Sequence, residues 1–177
     1  TVPGLAELAC DEVLDELRAA LRSDHLGVWR SPALGRGQWK KLFLGFRGKL
    51  NPAMDTLCPR TMERLRKVPL AMELPEGNLC VSVLEPGTEV TPHCGPTNIR
   101  LRAHLGIDIP EGCGLSVAGE ELRWREGEWL VFDDSFEHAA WNRSKQRRVI
   151  LIVDVWHPQL EREGQRKAAL RSLPTRG

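Results

Sequence analysis

The spacing of hydrophobic and polar positions changes partway along the chain. Over residues 5–21 apolar side chains recur at roughly helical spacing with charged residues between them, which predicts one amphipathic helix. Residues 23–37 contain glycine and proline turn residues and predict a loop, whereas the apolar residues 39–46 predict a strand. Pro59 precedes a short predicted helix over residues 61–67.

Short strands separated by turns follow in the second half. The predicted strands are residues 79–84, 99–107, 115–117, 129–132 and 149–156. Pro-Gly, Gly-Pro and Glu-Gly pairs punctuate them. Regularly spaced short strands of this kind are typical of a β-sandwich or barrel, so we expect a mainly β fold with a few helices packed outside the β core.

Length and composition limit the classes of protein to consider. A chain of 177 residues fits one domain. We divide it into a helical and loop part (1–76), a β core (77–160) and a charged, partly helical tail with a mobile end (161–177). The formal charge of +1 gives no electrostatic footprint for nucleic acid. The five cysteines form no CxxC pair, which favours reduced thiols over a zinc site or a disulfide framework.

Targeting signals are not evident in the sequence. No apolar run approaches the roughly 20 residues needed to span a bilayer, and no basic-then-apolar signal pattern is present. We therefore favour a cytoplasmic location and no membrane span in this chain. Because the chain begins at Thr1 rather than Met, a preceding anchor and an endoplasmic reticulum or membrane-tethered location stay open.

The strand over residues 99–107 alternates strictly between apolar and polar side chains. Its polar positions are Arg100, Arg102 and His104. A period of two places the two sets on opposite faces of the strand. The polar face is either solvated, as in many antiparallel sheets, or directed into a pocket where the arginines would bind an anion.

Two histidines, His93 and His138, lie in separate blocks and could hold one divalent metal ion. Many non-haem iron oxygenases add a carboxylate two residues after the first histidine. That position is Gly95, which has no side chain. The pair is therefore either an iron site that lacks one protein ligand or not a metal site.

Five sequence blocks favour the iron site. They are Pro-Gly-Thr at 86–88, His-Cys-Gly-Pro-Thr-Asn at 93–98, Arg-Leu-Arg-Ala-His-Leu-Gly at 100–106, Phe-Asp-Asp-Ser-Phe-Glu-His at 132–138 and Val-Asp-Val-Trp-His-Pro at 153–158. In these blocks the chain closely resembles the aspartyl/asparaginyl β-hydroxylase family of iron(II)- and 2-oxoglutarate-dependent oxygenases. The resemblance covers residues 77–160 and implies a double-stranded β-helix, the cupin-like jelly roll.

The resemblance also implies a role for each candidate site residue. His93 and His138 match the iron ligands, Gly95 matches a glycine that the family carries, and Asp134 matches a carboxylate that hydrogen-bonds an iron-bound water. The residues that match 2-oxoglutarate ligands are Ser82, Arg102, His104 and Arg148. Arg148, rather than the adjacent Arg147, would pair with the distal carboxylate of 2-oxoglutarate. Arg100 matches a residue that engages the carboxylate or amide of the substrate.

Other chemically capable residues have simpler interpretations. His25 and His157 are predicted to be surface or structural residues, and Asp133 is predicted to face away from the site. Cys94 is not expected to coordinate a metal, because neighbouring strand residues point to opposite faces. The six tryptophans are predicted to pack in the core and at its rim: Trp29, Trp39, Trp124, Trp129, Trp141 and Trp156.

The resemblance to this family implies a dioxygenase that uses Fe(II), with 2-oxoglutarate and O2 as cosubstrates. We expect it to hydroxylate the β-carbon of an Asp or Asn residue in a peptide or protein substrate. Three alternatives stay open. The substrate could be a lipid acyl chain or a free amino acid, the vacant ligand position could hold a halide as in related halogenases, or the chain could be a non-catalytic metal- or carboxylate-binding jelly roll.

Overall fold

A computed structural model describes residues 2–173 of the chain. The strands in this part are β1 (Gly27–Val28), β2 (Leu34–Arg36), β3 (Trp39–Phe46), β4 (Lys49–Leu50), β5 (Asn78–Leu84), β6 (Glu89–His93), β7 (Arg100–Asp108), β8 (Cys113–Val117), β9 (Glu120–Leu122), β10 (Trp129–Phe132), β11 (His138–Asn142) and β12 (Arg148–Trp156). The helices are a 3-10 turn (Ala6–Leu8), α1 (Asp11–Ala20), α2 (Met54–Leu57), α3 (Pro59–Arg66), α4 (Pro69–Met72) and α5 (Glu163–Ser172).

The strands form two antiparallel sheets. The larger sheet has the order β1-β3-β5-β12-β7-β10, with β4 paired to β3, and the smaller has the order β2-β6-β11-β8-β9. Side chains from both sheets line one shared cavity, so the sheets face each other. This arrangement confirms the predicted jelly roll with flanking helices.

The larger sheet is covered on both faces. Along β12, Val149 and Leu151 belong to the core that also contains the buried residues of α1 and α3, whereas Ile150 and Ile152 belong to the core between the sheets. Full burial of one such side chain contributes about 1.5–3 kcal/mol. Double coverage explains why β12 is almost continuously apolar in sequence, and it makes the polar residues on its inner face exceptional.

The prediction of one N-terminal helix over residues 5–21 is wrong. Cys10 is extended, with φ −137° and ψ 153°, and separates the 3-10 turn from α1. Leu8 and Leu17 are both fully buried. In one continuous helix these two residues would lie about half a turn apart and could not share one buried face. The interruption lets both leucines enter the core, so tertiary packing overrides the local helical pattern.

Several other elements differ from the predictions. The predicted loop at residues 23–37 contains the short strands β1 and β2, and the histidine-bearing strands β6 and β11 were not predicted. Pro92 interrupts the strand signal of β6, because proline cannot donate a ladder hydrogen bond. Ala139 and Ala140 weaken the strand signal of β11.

The segments before and after the β core contact it. Strand β3, from the part predicted as helix and loop, pairs with β5 along most of its length. The predicted tail helix is present as α5, while residues 174–177, at the end predicted to be mobile, lie outside the described residues. No helix within residues 2–173 is long and apolar enough to cross a membrane.

Candidate functional site

A cavity between the two sheets brings together most of the predicted site residues. It is lined by Ser82, Arg102, His104 and Arg148 from the larger sheet and by His93 and His138 from the smaller sheet. Trp39, Trp124 and Phe132 add aromatic walls. The polar face of β7 therefore points inward rather than into solvent. The alternation of apolar and polar residues along this strand reflects a cavity wall on its polar side.

His93 and His138 lie opposite each other on the neighbouring strands β6 and β11. Their ring centroids are 4.2 Å apart. Each Nδ1 atom lies 2.9 Å from a backbone carbonyl oxygen, that of Thr91 for His93 and that of Phe136 for His138. Because a carbonyl oxygen only accepts, Nδ1 carries the proton in the neutral tautomer of each ring, which leaves the Nε2 lone pair for a metal. Burial lowers the pKa of His138, which favours the neutral imidazole that metals bind.

Gly95 is sterically tied to Asp134. Its amide donates a 2.6 Å hydrogen bond to the backbone oxygen of Asp134. A Cβ atom on Gly95 would lie 2.6 Å from both Cγ and Oδ2 of Asp134. A carboxylate side chain therefore cannot start from position 95 while Asp134 keeps its place. Consistently, residues 2–173 contain no group of three or more His, Cys, Asp or Glu side chains placed to hold a metal ion.

We expect Gly95→Ala to lower the free energy of unfolding by about 1–3 kcal/mol, because the added methyl group must displace the buried Asp134 carboxylate. Chemical denaturation measures this change. Gly27→Ala is the matched control, since a Cβ at Gly27 meets nothing within 4 Å. Equal stability of the two variants would show that the Asp134 side chain can move aside at little cost and that its contact with position 95 is unimportant.

Behind the cavity, two arginines and two aspartates form a buried network of balanced charge. Arg100 donates to Asp134 through Nη2 at 2.8 Å and Nε at 3.3 Å. Arg102 donates to Asp154 through Nε at 2.8 Å and Nη2 at 3.0 Å. The pairs are also cross-linked, with 3.2 Å from Arg100 Nη1 to Asp154 Oδ2 and 3.0 Å from Arg102 Nη1 to Asp134 Oδ2. Both aspartates are fully buried.

The network favours the charged forms of Asp154 and Arg102. Burial by itself would raise the pKa of Asp154, but the positive charge and hydrogen bonds of Arg102 outweigh it and hold the pKa at about 2. Burial would likewise lower the pKa of Arg102, whereas Asp154 and Asp134 raise it above its usual value. Arg100 also donates to the backbone oxygen of Glu76 at 2.6 Å. The expected contact of Arg100 with substrate stays a prediction, since its guanidinium group is already held by two carboxylates.

Arg148 differs from the other two arginines because no carboxylate pairs with it among the residues described. It is 2% exposed. One nitrogen, Nη1, donates to the backbone oxygen of Ser82 at 3.3 Å, and Nε is buried without a partner. The guanidinium carbon lies 4.8 Å from the ring centroid of Trp124. Burial lowers the pKa of Arg148 to about 9, which is the effect of a cation desolvated without a counter-ion.

His104 provides a second unmatched donor in the same cavity. Trp124 Nε1 donates to His104 Nδ1 at 3.2 Å. The proton of the neutral ring must then be on Nε2, which is buried without a hydrogen-bond partner. Burial, followed by the charges of Arg102 and Arg148, lowers the pKa of His104 well below its ordinary value. A neutral N–H donor and an uncompensated guanidinium therefore face one small cavity.

Two cavity residues and one residue of the buried network were not assigned a role from the sequence. Trp124 holds both Arg148 and His104, and Trp39 Nε1 donates to Ser82 Oγ at 2.9 Å. Nothing in the sequence around these two tryptophans distinguishes a role in the cavity from ordinary core packing. Asp154 did carry a signal, because it is the one charged side chain inside the apolar run of residues 149–156.

The structure shows how residues next to the site differ in exposure. Arg147 is exposed while Arg148 is buried, and His25 and Cys94 are exposed. Asp133 is half-buried, whereas Asp134 is buried and contacts the cavity residue Arg102. The five cysteines form no disulfide.

The fold and the site define a jelly-roll protein with a two-histidine candidate metal centre between its sheets. A crystal structure of a Pseudomonas putida prolyl-4-hydroxylase has a similar fold, with a TM-score of 0.57, 16% sequence identity, and coverage of 83% of this chain and 87% of that one. At this identity the likeness bears on the fold alone.

Residues 7–158 match the family described as Aspartyl/Asparaginyl beta-hydroxylase. The chain is 44% identical over 140 residues to human aspartyl/asparaginyl beta-hydroxylase, covering 78% of this chain and 18% of that protein. It is 43% identical over 136 residues to human aspartate beta-hydroxylase domain-containing protein 2. That match covers 75% of this chain and 37% of the relative. The chain belongs to the aspartyl/asparaginyl β-hydroxylase family, a family of hydroxylases, and corresponds to less than half the length of these relatives.

Proposed function

We propose that this chain is an Fe(II)- and 2-oxoglutarate-dependent dioxygenase that hydroxylates the β-carbon of an Asp or Asn residue in a peptide or protein. The observation that carries the proposal is the pair of unmatched buried donors, Arg148 Nε and His104 Nε2, in the cavity that also holds the two imidazoles. Family membership and the names of the relatives support the same reaction.

The donor set fits the two ligands that the proposal requires. His93 and His138 offer two neutral nitrogen donors, which suit a divalent iron ion. When bound, the iron with 2-oxoglutarate and O2 supplies the oxidising chemistry for an unactivated C–H bond. Arg148 and the N–H group of His104 would bind the distal carboxylate of 2-oxoglutarate, and the Ser82 hydroxyl adds a further polar group.

The remaining residues would orient and shield these ligands. Trp124 places Arg148 and His104, so it acts as a positioning residue. The buried network keeps Arg102 at the cavity wall and holds Asp134 against it, at 3.0 Å from Arg102 Nη1. The expected hydrogen bond from a metal-bound water to Asp134 belongs to this proposal. Aromatic walls would exclude bulk water from the site.

We expect Arg148→Met to raise the Michaelis constant for 2-oxoglutarate by roughly 10- to 100-fold, because a charge-assisted contact to a buried carboxylate is lost. Succinate formation at varied 2-oxoglutarate concentration measures the constant, and calorimetric titration of the protein loaded with Mn(II) measures binding without turnover. Arg147→Met is the matched control, since Arg147 is exposed. Unchanged 2-oxoglutarate binding in Arg148→Met would remove the basis of the proposal.

The surroundings of Gly95 do not favour the halogenase alternative. The space next to Gly95 is filled by the Asp134 carboxylate, which Arg100 and Arg102 already neutralise. A halide would have to share this region with a carboxylate whose cationic partners are already engaged. The two unmatched donors favour a bound carboxylate, because burying them without a ligand costs stability, and succinate formation distinguishes the dioxygenase from a non-catalytic carboxylate-binding jelly roll.

A further inference from the structure

We propose that the Lys41 ammonium group is the recognition site for the substrate's side-chain carboxylate, so that the substrate residue is an aspartate rather than an asparagine. The inference rests on the proposed function and deepens it, since it concerns the substrate of the same cavity. Three features of the structure carry it: the face of β3 on which Lys41 lies, its aromatic surroundings, and the absence of a counter-ion.

Lys41 lies on the face of β3 that looks toward the smaller sheet. Its neighbours Leu42 and Leu44 pack in the core beside the helices, whereas Phe43 packs against the core between the sheets. Lys41 is also the register partner of Ser82, which lines the cavity. The alternation of β3 therefore directs Lys41 to the cavity side.

Aromatic rings surround the ammonium group of Lys41. Its Nζ atom lies 4.3 Å from the ring centroid of Trp29, 4.6 Å from that of Trp39 and 5.9 Å from that of Phe43. Trp39 lines the cavity, so Lys41 lies next to the cavity wall. The rings hold the cation in place and reduce its contact with water, which strengthens its attraction for an anion.

The Lys41 side chain makes no hydrogen bond or ion pair within residues 2–173; its ammonium group contacts aromatic rings and feels the more distant charges of Asp154, Arg100 and Arg102. The neighbouring Lys40, by contrast, pairs with Glu85 at 2.7 Å. Near the cavity, Arg100 and Arg102 are neutralised by Asp134 and Asp154. Among residues 2–173, Arg148 and Lys41 are then the cations at the cavity that pair with no carboxylate. If Arg148 takes the cosubstrate, Lys41 is left for the substrate.

The chemistry of an isolated ammonium group selects one kind of substrate. A carboxylate supplies the missing negative charge, whereas an asparagine amide supplies only a dipole. A lipid acyl chain would leave the partly desolvated cation without any partner, which is costly. The aromatic rings can at the same time pack against the methylene groups of a peptide. A peptide with an acidic side chain thus offers a carboxylate to the Lys41 ammonium group and methylene groups to the aromatic rings.

The test uses two end-blocked peptides that differ only in one Asp or Asn residue, so that the aspartyl peptide carries the only carboxylate. Wild type, Lys41→Met and Lys40→Met are compared. Tryptophan fluorescence of the Mn(II)- and 2-oxoglutarate-loaded protein reports binding, since Trp29 and Trp39 flank Lys41. Mass spectrometry of the Fe(II) enzyme reports the gain of one oxygen.

We expect wild type to prefer the aspartyl peptide and Lys41→Met to lose about 10- to 100-fold in affinity and kcat/KM for that peptide alone. The Michaelis constant for 2-oxoglutarate should not change. Lys40→Met should behave as wild type, and Lys41→Arg should keep most of the preference. This pattern would establish Lys41 as the determinant of substrate charge.

Two results would overturn the inference. One is an unchanged preference for the aspartyl peptide in Lys41→Met, and the other is a raised Michaelis constant for 2-oxoglutarate, which would place Lys41 at the cosubstrate instead. In both cases continued formation of succinate leaves the proposed function intact. Failure of the wild-type protein to bind or convert 2-oxoglutarate would instead refute the proposed function itself.

Discussion

Replacing His138 with alanine is expected to reduce 2-oxoglutarate turnover to background and to abolish stable Fe(II) binding. Position 95 has no side chain, so His138 provides one of only two expected protein ligands. A single remaining imidazole, that of His93, would not retain the ion against dialysis. Succinate formation measures turnover, and metal analysis after dialysis measures binding independently of activity.

His25→Ala is the control for this experiment because His25 is exposed and lies outside the cavity. It should bind iron and form succinate as wild type does. Near-normal turnover by His138→Ala would show that the metal, if any, is held elsewhere. Loss of turnover with full retention of iron would instead assign His138 a role in the reaction other than metal binding.

Asp154→Ala is expected to lower the free energy of unfolding by about 3–5 kcal/mol, because it leaves buried arginines without a counter-ion. Asp154 accepts bonds from Arg102 at 2.8 and 3.0 Å, and from the backbone and side-chain nitrogens of Asn78 at 3.0 and 2.9 Å. Its replacement also frees Arg102 to leave the cavity wall. Urea denaturation followed by circular dichroism measures the loss of stability.

A matched control is Asp55→Ala, which removes the 2.6 Å ion pair with Arg66 at the surface. Exposed pairs of this kind are worth less than about 1 kcal/mol. If Asp154→Ala lowers the free energy of unfolding no more than Asp55→Ala does, the network is not important for stability.

The pH dependence of stability gives a further check on Asp154. Its folded pKa of about 2 lies below the ordinary value of 3.8. The stabilisation is therefore complete above pH 4 and is lost as the pH falls toward 2. In Asp154→Ala the fall in stability over this window should be smaller than in wild type. An identical acid transition in both proteins would mean that another group is responsible.

Much of the β core was predictable because its signals are local. Strands β3 and β10 have the predicted bounds, and β5, β7, β8 and β12 differ by only one or two residues at an end. The strands that carry the metal-binding candidates were missed, since the proline of β6 and the alanines of β11 weaken a local strand signal. Their pairing depends on neighbouring strands, which no local pattern reports.

The site residues were also partly predictable. Ordered blocks of sequence identified His93, His138 and the inward face of β7, because these residues are close in sequence to distinctive motifs. Trp124 and Lys41 have no such context. Their importance depends on what they touch: Arg148 and His104 for Trp124, and an aromatic enclosure without a counter-ion for Lys41.

The sequence by itself determined the family, the mainly β architecture and the absence of a carboxylate at Gly95. Only the tertiary structure decided why that carboxylate is absent and which cations near the cavity have no carboxylate partner. Gly95 is required because Asp134, far along the chain, occupies the adjacent space. The free charge of an arginine or lysine depends on partners brought together by strand pairing. Coulombic and steric contacts act through space, so residue types alone could not have separated the neutralised Arg100 from the uncompensated Arg148 and Lys41.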